Sequence, residues 1–329
     1  MIDIQQLDKP TVLRWLQARG EQQQALFREA RTVRTRHGGD GVLLRGVIEI
    51  SNHCEKCCNY CAMRCHNGAI ERYRMSQEEI LAIAGQIKAH EISTVFLQAG
   101  QDRQCDATLE AVIPKIKLDM GMDVLLCVGE RPKETYRRWA ELGANAYILK
   151  YETSDPLYYR QIAKVSPAHR LQCLAAIREA GMKLGTGNMV GLPHQTLESV
   201  AEDFLFALEI QPDFVSTAPF IPNEGTPFEQ FGPGDLDLAL NLMALWRIAL
   251  KTSLIPSISA LEKLRPGGQL MGLNAGANVI TINFTPADCR AKYAIYSEQR
   301  FVVSLKHALE TVQKAGLKIR SEAPVLTAA

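Results

Sequence analysis

Residues 43–61 read LLRGVIEISNHCEKCCNYC, an apolar run with strand character (Leu43–Ile50) that empties into three cysteines spaced C-x3-C-x2-C: Cys54, Cys58 and Cys61. Three thiolates on a short loop can hold three irons of a 4Fe–4S cube and leave the fourth iron open to a reactive ligand. A structural zinc site needs four closed ligands, and a ferredoxin-type carrier needs four cysteines. Cys57 and Cys65 lie near enough in sequence to complete a tetrahedral set, so zinc stays open as an alternative. Against it, no second C-x2-C knuckle follows across a longer gap. Cys57 is expected to face away from the other three and Cys65 to be a loop or packing thiol.

Outward from this stretch the chain alternates strand and helix. Strands are predicted at Leu43–Ile50, Thr94–Leu97, Val124–Val128, Ala146–Leu149, Lys183–Val190, Phe214–Thr217, Pro256–Ser259 and Asn278–Ile282. Helix ends are readable between them. Ser76 with Glu79 makes a capping box, Pro132 and Pro167 open helices that stop near Gly143 and Gly181, and Thr196 and Asp235 are N-caps. Alternating β/α units predict an α/β fold, a parallel (β/α)8 TIM-type barrel with its reactive groups at the C-terminal ends of strands. An incomplete barrel of six units is the alternative. Residues 1–40 read as an N-terminal helical extension: a first helix capped by Asp8, entered through Pro10 and ended by Gly20, then a second helix to about His37. Residues 41–329 read as the barrel domain with a C-terminal closing segment.

Composition narrows the function. The chain is 47% hydrophobic and 22% charged, with 37 basic and 36 acidic residues, an ordinary globular profile with no basic footprint for nucleic acid. No apolar run approaches the roughly 20 residues that span a bilayer, and MIDIQQLDKP lacks the profile of a secretory signal. Nine cysteines, clustered rather than spread in pairs, fit a reducing cytoplasm better than a disulfide framework.

The segment CEKCCNYC, with Tyr60 just before the last cysteine, resembles the radical S-adenosylmethionine (SAM) enzymes. The resemblance implies two cofactors: one 4Fe–4S cluster on Cys54, Cys58 and Cys61, and SAM, chelated to the open iron and cleaved to a 5′-deoxyadenosyl radical. It also implies which residues meet SAM. Gly100, Gln101 and Asp102 stand where family members carry a Gly-Gly-Glu-like turn for the amino group, with Asp102 left to supply the charge. Lys150 and Glu152 end the fourth strand, where a charged pair is expensive unless it binds something. Arg170 is a second candidate for the methionine carboxylate, and Glu152 can accept from the ribose. Gly187, Val190 and Gly191 offer backbone approach and an apolar face to adenine.

ERYRMSQEEI, KYETSDP, GTGNMVGLPHQT, APFIPNEGTP and NAGANVITINFTP are similar to the HydE group, which processes an iron precursor in iron-only hydrogenase assembly; methylornithine synthase and biotin synthase are more distant relatives. Tyr293 and Tyr296 align with tyrosines of that group and are candidate catalytic residues. Thr217, Pro219, Ser257, Ser259, Asn283 and Thr285 are candidates to surround the substrate. The chain departs from the group at Gln101, at Met63–Asn67 and at Ser257–Lys263, and it has no cysteine after Cys289 for an accessory cluster. The expected partners are a small-molecule substrate and an external electron donor such as flavodoxin or ferredoxin, with neither nucleic acid nor membrane. Two other readings stay open: a mutase or C–S bond enzyme on an amino-acid-like substrate, and a metal-stabilised binding protein that cleaves no SAM.

Overall fold

The computed structural model describes residues 7–296 and 299–320; residues 1–6 of the expected extension and 321–329 of the closing segment lie outside them. Two helices come first, α1 (Lys9–Leu16) and α2 (Gly20–Gly38). The alternating part follows: β1 (Gly41–Ser51), α3 (Gln77–Ala89), β2 (Thr94–Ala99), α4 (Asp106–Pro114), β3 (Asp123–Cys127), α5 (Lys133–Glu141), β4 (Ala144–Ile148), α6 (Pro156–Ala163), α7 (Ala168–Glu179), β5 (Lys183–Val190), α8 (Leu197–Ile210), β6 (Phe214–Pro219) and α9 (Leu236–Leu250). It ends with α10 (Ser259–Leu264), α11 (Gly268–Asn274), β7 (Val279–Asn283), α12 (Ala287–Lys292), α13 (Leu305–Lys314) and β8 (Lys318–Ile319).

The strands run β6-β5-β4-β3-β2-β1-β7, every neighbour parallel. The sheet curls into a TIM-like α/β barrel, and Leu254 and Pro256 join its two edges by single bridges to Phe214 and Val279. The predicted strand Pro256–Ser259 is thus reduced to bridges. Pro256 has no N–H to continue a ladder, and Ser259 already opens α10. β8 adds a short pairing to the start of β1.

Side chains alternate between two cores. Leu43, Val47, Phe96, Leu125, Ala146, Phe214, Leu254 and Val279 point inward and plug the barrel. The opposite faces of the same strands pack against the helices. A third cluster, Tyr158, Tyr159, Ile162, Met189, Leu192, Ala218 and Phe220, lies against Cys58 and Tyr60.

The predicted caps form: Asp8 on α1, the Ser76–Glu79 box on α3, Thr196 on α8 and Asp235 on α9. Gly20 does not end the first helix. It starts the second, at φ +56°, where glycine adopts left-handed backbone without a Cβ clash. α1 packs on α8 and α9, and α2 on α9. The buried Asn241 ties them down by donating to Leu16 and Ala18 carbonyls at 2.9 Å.

Candidate active site

β1 carries its inward residues in alternation, Leu43, Arg45, Val47 and Glu49, and then delivers the cysteine loop to the C-terminal end of the barrel. Cys54, Cys58 and Cys61 are free, half-buried thiols. Burial pushes the Cys58 thiol up to about 11 and Cys61 higher still, with neighbouring cysteines adding to both. Charged together, these three thiolates would repel one another in a pocket of low dielectric. The donor set therefore suits a cationic metal centre, which displaces the protons as it binds.

The loop is clamped from three sides. The Gln101 amide N–H donates to Cys54 Sγ at 3.4 Å, its Nε2 donates to Glu55 at 2.6 Å, and its Oε1 accepts from the Glu130 N–H at 2.9 Å. A Cβ at Gly100 would stand 2.2 Å from the His53 carbonyl oxygen, so only glycine lets the end of β2 touch the loop. Arg72 donates to the carbonyls of Asn52, Met63, Arg64 and Asn67 and gathers the loop's two ends.

Glu130, just past β3, pairs with Lys56 of the cysteine loop at 2.7 Å and with Arg170 of α7 at 2.8 Å. Burial alone would raise its carboxyl, but Arg170 and Lys56 hold it below the usual range. Arg170 also donates from Nη1 to the Lys150 carbonyl at 2.8 Å. Lys150 Nζ lies 3.0 Å from Glu152 Oε2. Glu152 has left-handed backbone, φ +66°, held by hydrogen bonds with Gly187 O and Met189 N, both 3.0 Å. Strained backbone at a non-glycine residue is a pointer to function. Asp203 of α8 holds the turn beyond it, accepting from the Ser154 N–H and Oγ, from Thr153 and from Asn188. Burial pushes Asp203 up to about 6.

Below this ring lies a cavity of about 170 Å³, lined among others by Arg45, Glu49, Gln98, Cys127, Lys150 and Tyr296. Near its floor the Arg45 guanidinium donates from Nε to Thr281 at 2.7 Å and sits 4.7 Å over the Phe96 ring. No carboxylate pairs with it among the described residues, and burial lowers its pKa to about 10. On the wall, Arg300 makes a two-pronged ion pair with Glu49 at 2.5 and 2.6 Å and covers Tyr293 at 5.5 Å. Arg300 also borders a second cleft of about 430 Å³, which Tyr293 lines.

Several expectations are corrected. Asp102 is not a free charge. Arg74 binds it at 2.6 and 3.1 Å, Ser51 donates at 2.8 Å, and it caps a short turn at Gln104. Burial would raise its pKa, but Arg74 and Ser51 hold it low. Val190 faces the helices in the outer core, and Met189 takes the inner face beside Tyr60. Gly191 is glycine because its Cβ would stand 2.3 Å from the Gly234 Cα, and Gly187 because of Ser216 O. Tyr296 lines the inner cavity, whereas Tyr293 borders the outer cleft. Ser259 and Asn283 line the cavity, joined by Ser216; Thr217, Pro219, Ser257 and Thr285 are absent from its wall. Cys57 and Cys65 are not separate thiols but a disulfide.

Glu130, Arg45 and Met189 went unread in sequence. Arg45 and Glu49 interrupt the apolar run LLRGVIEI, and Glu130-Arg131 follows β3 as Lys150 and Glu152 follow β4, so the same charge rule could have found Arg45 and Glu130.

A family model described as the Radical SAM superfamily matches residues 48–207. The [FeFe] hydrogenase maturase subunit HydE of Thermotoga maritima is 40% identical over 274 residues, 83% of this chain and 79% of that protein. The 3-methylornithine synthase of Methanosarcina acetivorans is 29% identical, covering 82% and 77%. A crystal structure of methylornithine synthase superposes with a TM-score of 0.85 at 26% identity, covering 96% of each chain.

Proposed function

We propose, for a chain that belongs to the radical SAM superfamily and is a HydE-like member of it, that Cys54, Cys58 and Cys61 hold a 4Fe–4S cluster and that SAM lies across the barrel mouth above the small cavity. Membership in an enzyme family sets aside the reading as a non-catalytic binding protein. The observation that carries the proposal is the position of three free thiols in the loop after β1, at the end of the barrel that holds a small cavity with a buried cation near its floor. When bound, the cluster supplies the electron that cleaves SAM to methionine and a 5′-deoxyadenosyl radical.

The chain's own residues bind, orient and exclude water. Arg170 keeps one arm on Glu130 and one on the Lys150 carbonyl, and Nη2 is the arm that would meet the methionine carboxylate. Glu152 would accept from the ribose diol, Tyr60 and Met189 would flank adenine, and the Gly100–Gln101 backbone would receive the amino group. Asp102 has a positioning role through Arg74 and Ser51. Tyr296, on the cavity wall, is the better placed of the two tyrosines to meet substrate. Residues 1–40 act as an outer brace and residues 41–329 as the catalytic unit.

The substrate is read as a small anionic molecule facing Arg45, in the HydE-like role an iron precursor of the hydrogenase cluster. Cys127 is the one cysteine on the cavity wall among the described residues, too few for an auxiliary cluster of thiolates. The likeness to methylornithine synthase favours a second reading, an amino-acid substrate of similar size. The electron comes from an external carrier of the flavodoxin or ferredoxin kind. No helix among the described residues is long and apolar enough to cross a membrane, and a reducing cytoplasm suits the three free thiols.

Anaerobic reconstitution should give about four irons per chain, and dithionite with SAM should yield 5′-deoxyadenosine. Each of Cys54→Ala, Cys58→Ala and Cys61→Ala should abolish both. Full deoxyadenosine yield from any one of them sinks the assignment. Turnover of the iron precursor supports the maturase, and turnover restricted to an amino acid supports the second reading.

A further inference from the structure

Cys57 and Cys65 are joined by a disulfide that brackets Cys58 and Cys61. Beside it stands His66, its Nε2 3.8 Å from Cys57 Sγ. The three ligand atoms lie within 4.8 Å of one another. We propose that the reduced form of this trio is a second metal site, distinct from the cluster cysteines, that takes one thiophilic divalent cation such as Zn²⁺ with a coordination position open, and that disulfide formation expels it.

The S–S bond is not what brings these residues together. The Cys65 N–H donates to the Lys56 carbonyl at 2.9 Å, the Arg64 N–H to the Cys61 carbonyl at 3.1 Å, and Arg72 gathers four carbonyls of the same loop. With Cα atoms 5.4 Å apart, Cys57 and Cys65 stay neighbours after reduction. A tetrahedral zinc with Zn–S of about 2.3 Å and Zn–N of about 2.05 Å sets sulfur and nitrogen ~3.5 Å apart and two sulfurs ~3.8 Å apart. The Cys57–His66 separation of 3.8 Å is about 0.3 Å longer than the first edge, and χ1 rotation of the freed thiols closes it and supplies the second. Cys57 is the one hydrogen-bond-range partner of His66 among the described residues, so the imidazole has no competing role.

The site is set apart from the cluster ligands by its surroundings. Cys58 packs in the apolar cluster at the barrel mouth, whereas Cys65 and His66 face solvent. Two thiolates and an imidazole are soft donors that favour zinc over iron(II). Three protein ligands and solvent access describe an exchangeable site rather than a closed structural one.

The redox step balances with external thiols. Two thiols give two electrons and two protons to the Cys57–Cys65 bond and leave as their own disulfide. Zn²⁺ then displaces the two cysteine protons. A low-molecular-weight disulfide such as oxidised glutathione takes the two electrons back with two protons from water and leaves as two thiols; the Cys57–Cys65 bond re-forms, His66 is the sole ligand left, and the Zn²⁺ is released.

The test uses the anaerobically reconstituted holoenzyme, reduced, desalted and dialysed against buffered ZnCl₂, with zinc and iron counted together. One zinc beyond an unchanged iron content is expected. Cys57→Ser and Cys65→Ser should each remove it, His66→Ala should weaken it at least about tenfold, and oxidised glutathione should release it as the chain loses two hydrogens in mass. In the wild type, zinc should protect Cys57 and Cys65 from alkylation, a readout that needs no variant. Failure of the reduced holoenzyme to take zinc, zinc retained in both serine variants, or zinc bound without protecting these two cysteines overturns the site. None of these outcomes bears on SAM cleavage.

Discussion

Burying Arg45 among Leu43, Val47 and Phe96 removes a guanidinium from water in exchange for one hydrogen bond to Thr281 and the face of an aromatic ring. Such a charge lowers stability unless something pairs with it, so Arg45 marks where an anionic substrate would rest. Arg45→Met, close in length and uncharged, should therefore raise the free energy of unfolding by about 1 kcal/mol or more. The same variant should keep SAM binding and lose substrate-dependent deoxyadenosine formation. Urea titration and anaerobic turnover measured together check this, and a variant both destabilised and active would contradict it. At this scale the cysteines were legible because ligand spacing is local chemistry. The exchange of Val190 for Met189 was not: period-two alternation is the same for either face, and only the pairing of β5 with β4 and β6 decides which parity points inward.

Glu130 ties two elements together, the cysteine loop through Lys56 and α7 through Arg170. Removing one member of a buried charged network leaves its partners misdirected. Glu130→Gln should leave about four irons bound but weaken SAM at least about tenfold, roughly 1.4 kcal/mol, because Arg170 loses the anchor that aims its free arm. Anaerobic calorimetry with SAM reads this directly; unchanged affinity would reduce Glu130 to a structural ion pair. Element ends were the most readable part of the chain, since caps such as Ser76–Glu79 act within four residues. The seventh barrel position was misjudged in extent because Pro256 breaks a ladder that only the neighbouring strands reveal.

For the molecule as a whole, Asp203 links α8 to β5 and to the Glu152 turn, and its burial shapes the pH dependence of stability. Its carboxyl goes from an ordinary 3.8 to about 6 in the fold. Between those values the folded chain binds the extra proton, so this group's contribution is fully present below about pH 4 and is lost as pH rises through about 6. The shift of about two units amounts to ~3 kcal/mol. Subtracting the stability–pH curve of Asp203→Asn from that of the wild type should expose a fall of this sign across pH 4–6; a flat difference would show that Asp203 is not buried as a carboxylate. Alternation of strands with capped helices, the C-x3-C-x2-C loop after the first strand and the charged pair after the fourth were all determined by sequence, because each follows from interactions among residues close in the chain. Tertiary structure alone decided that Asp102 is held by Arg74, that Arg45 faces the inner cavity and that Tyr293 and Tyr296 border different spaces. Those facts depend on which side chains meet after barrel closure, and parallel strands bring together residues whose separation in the chain carries no local signal.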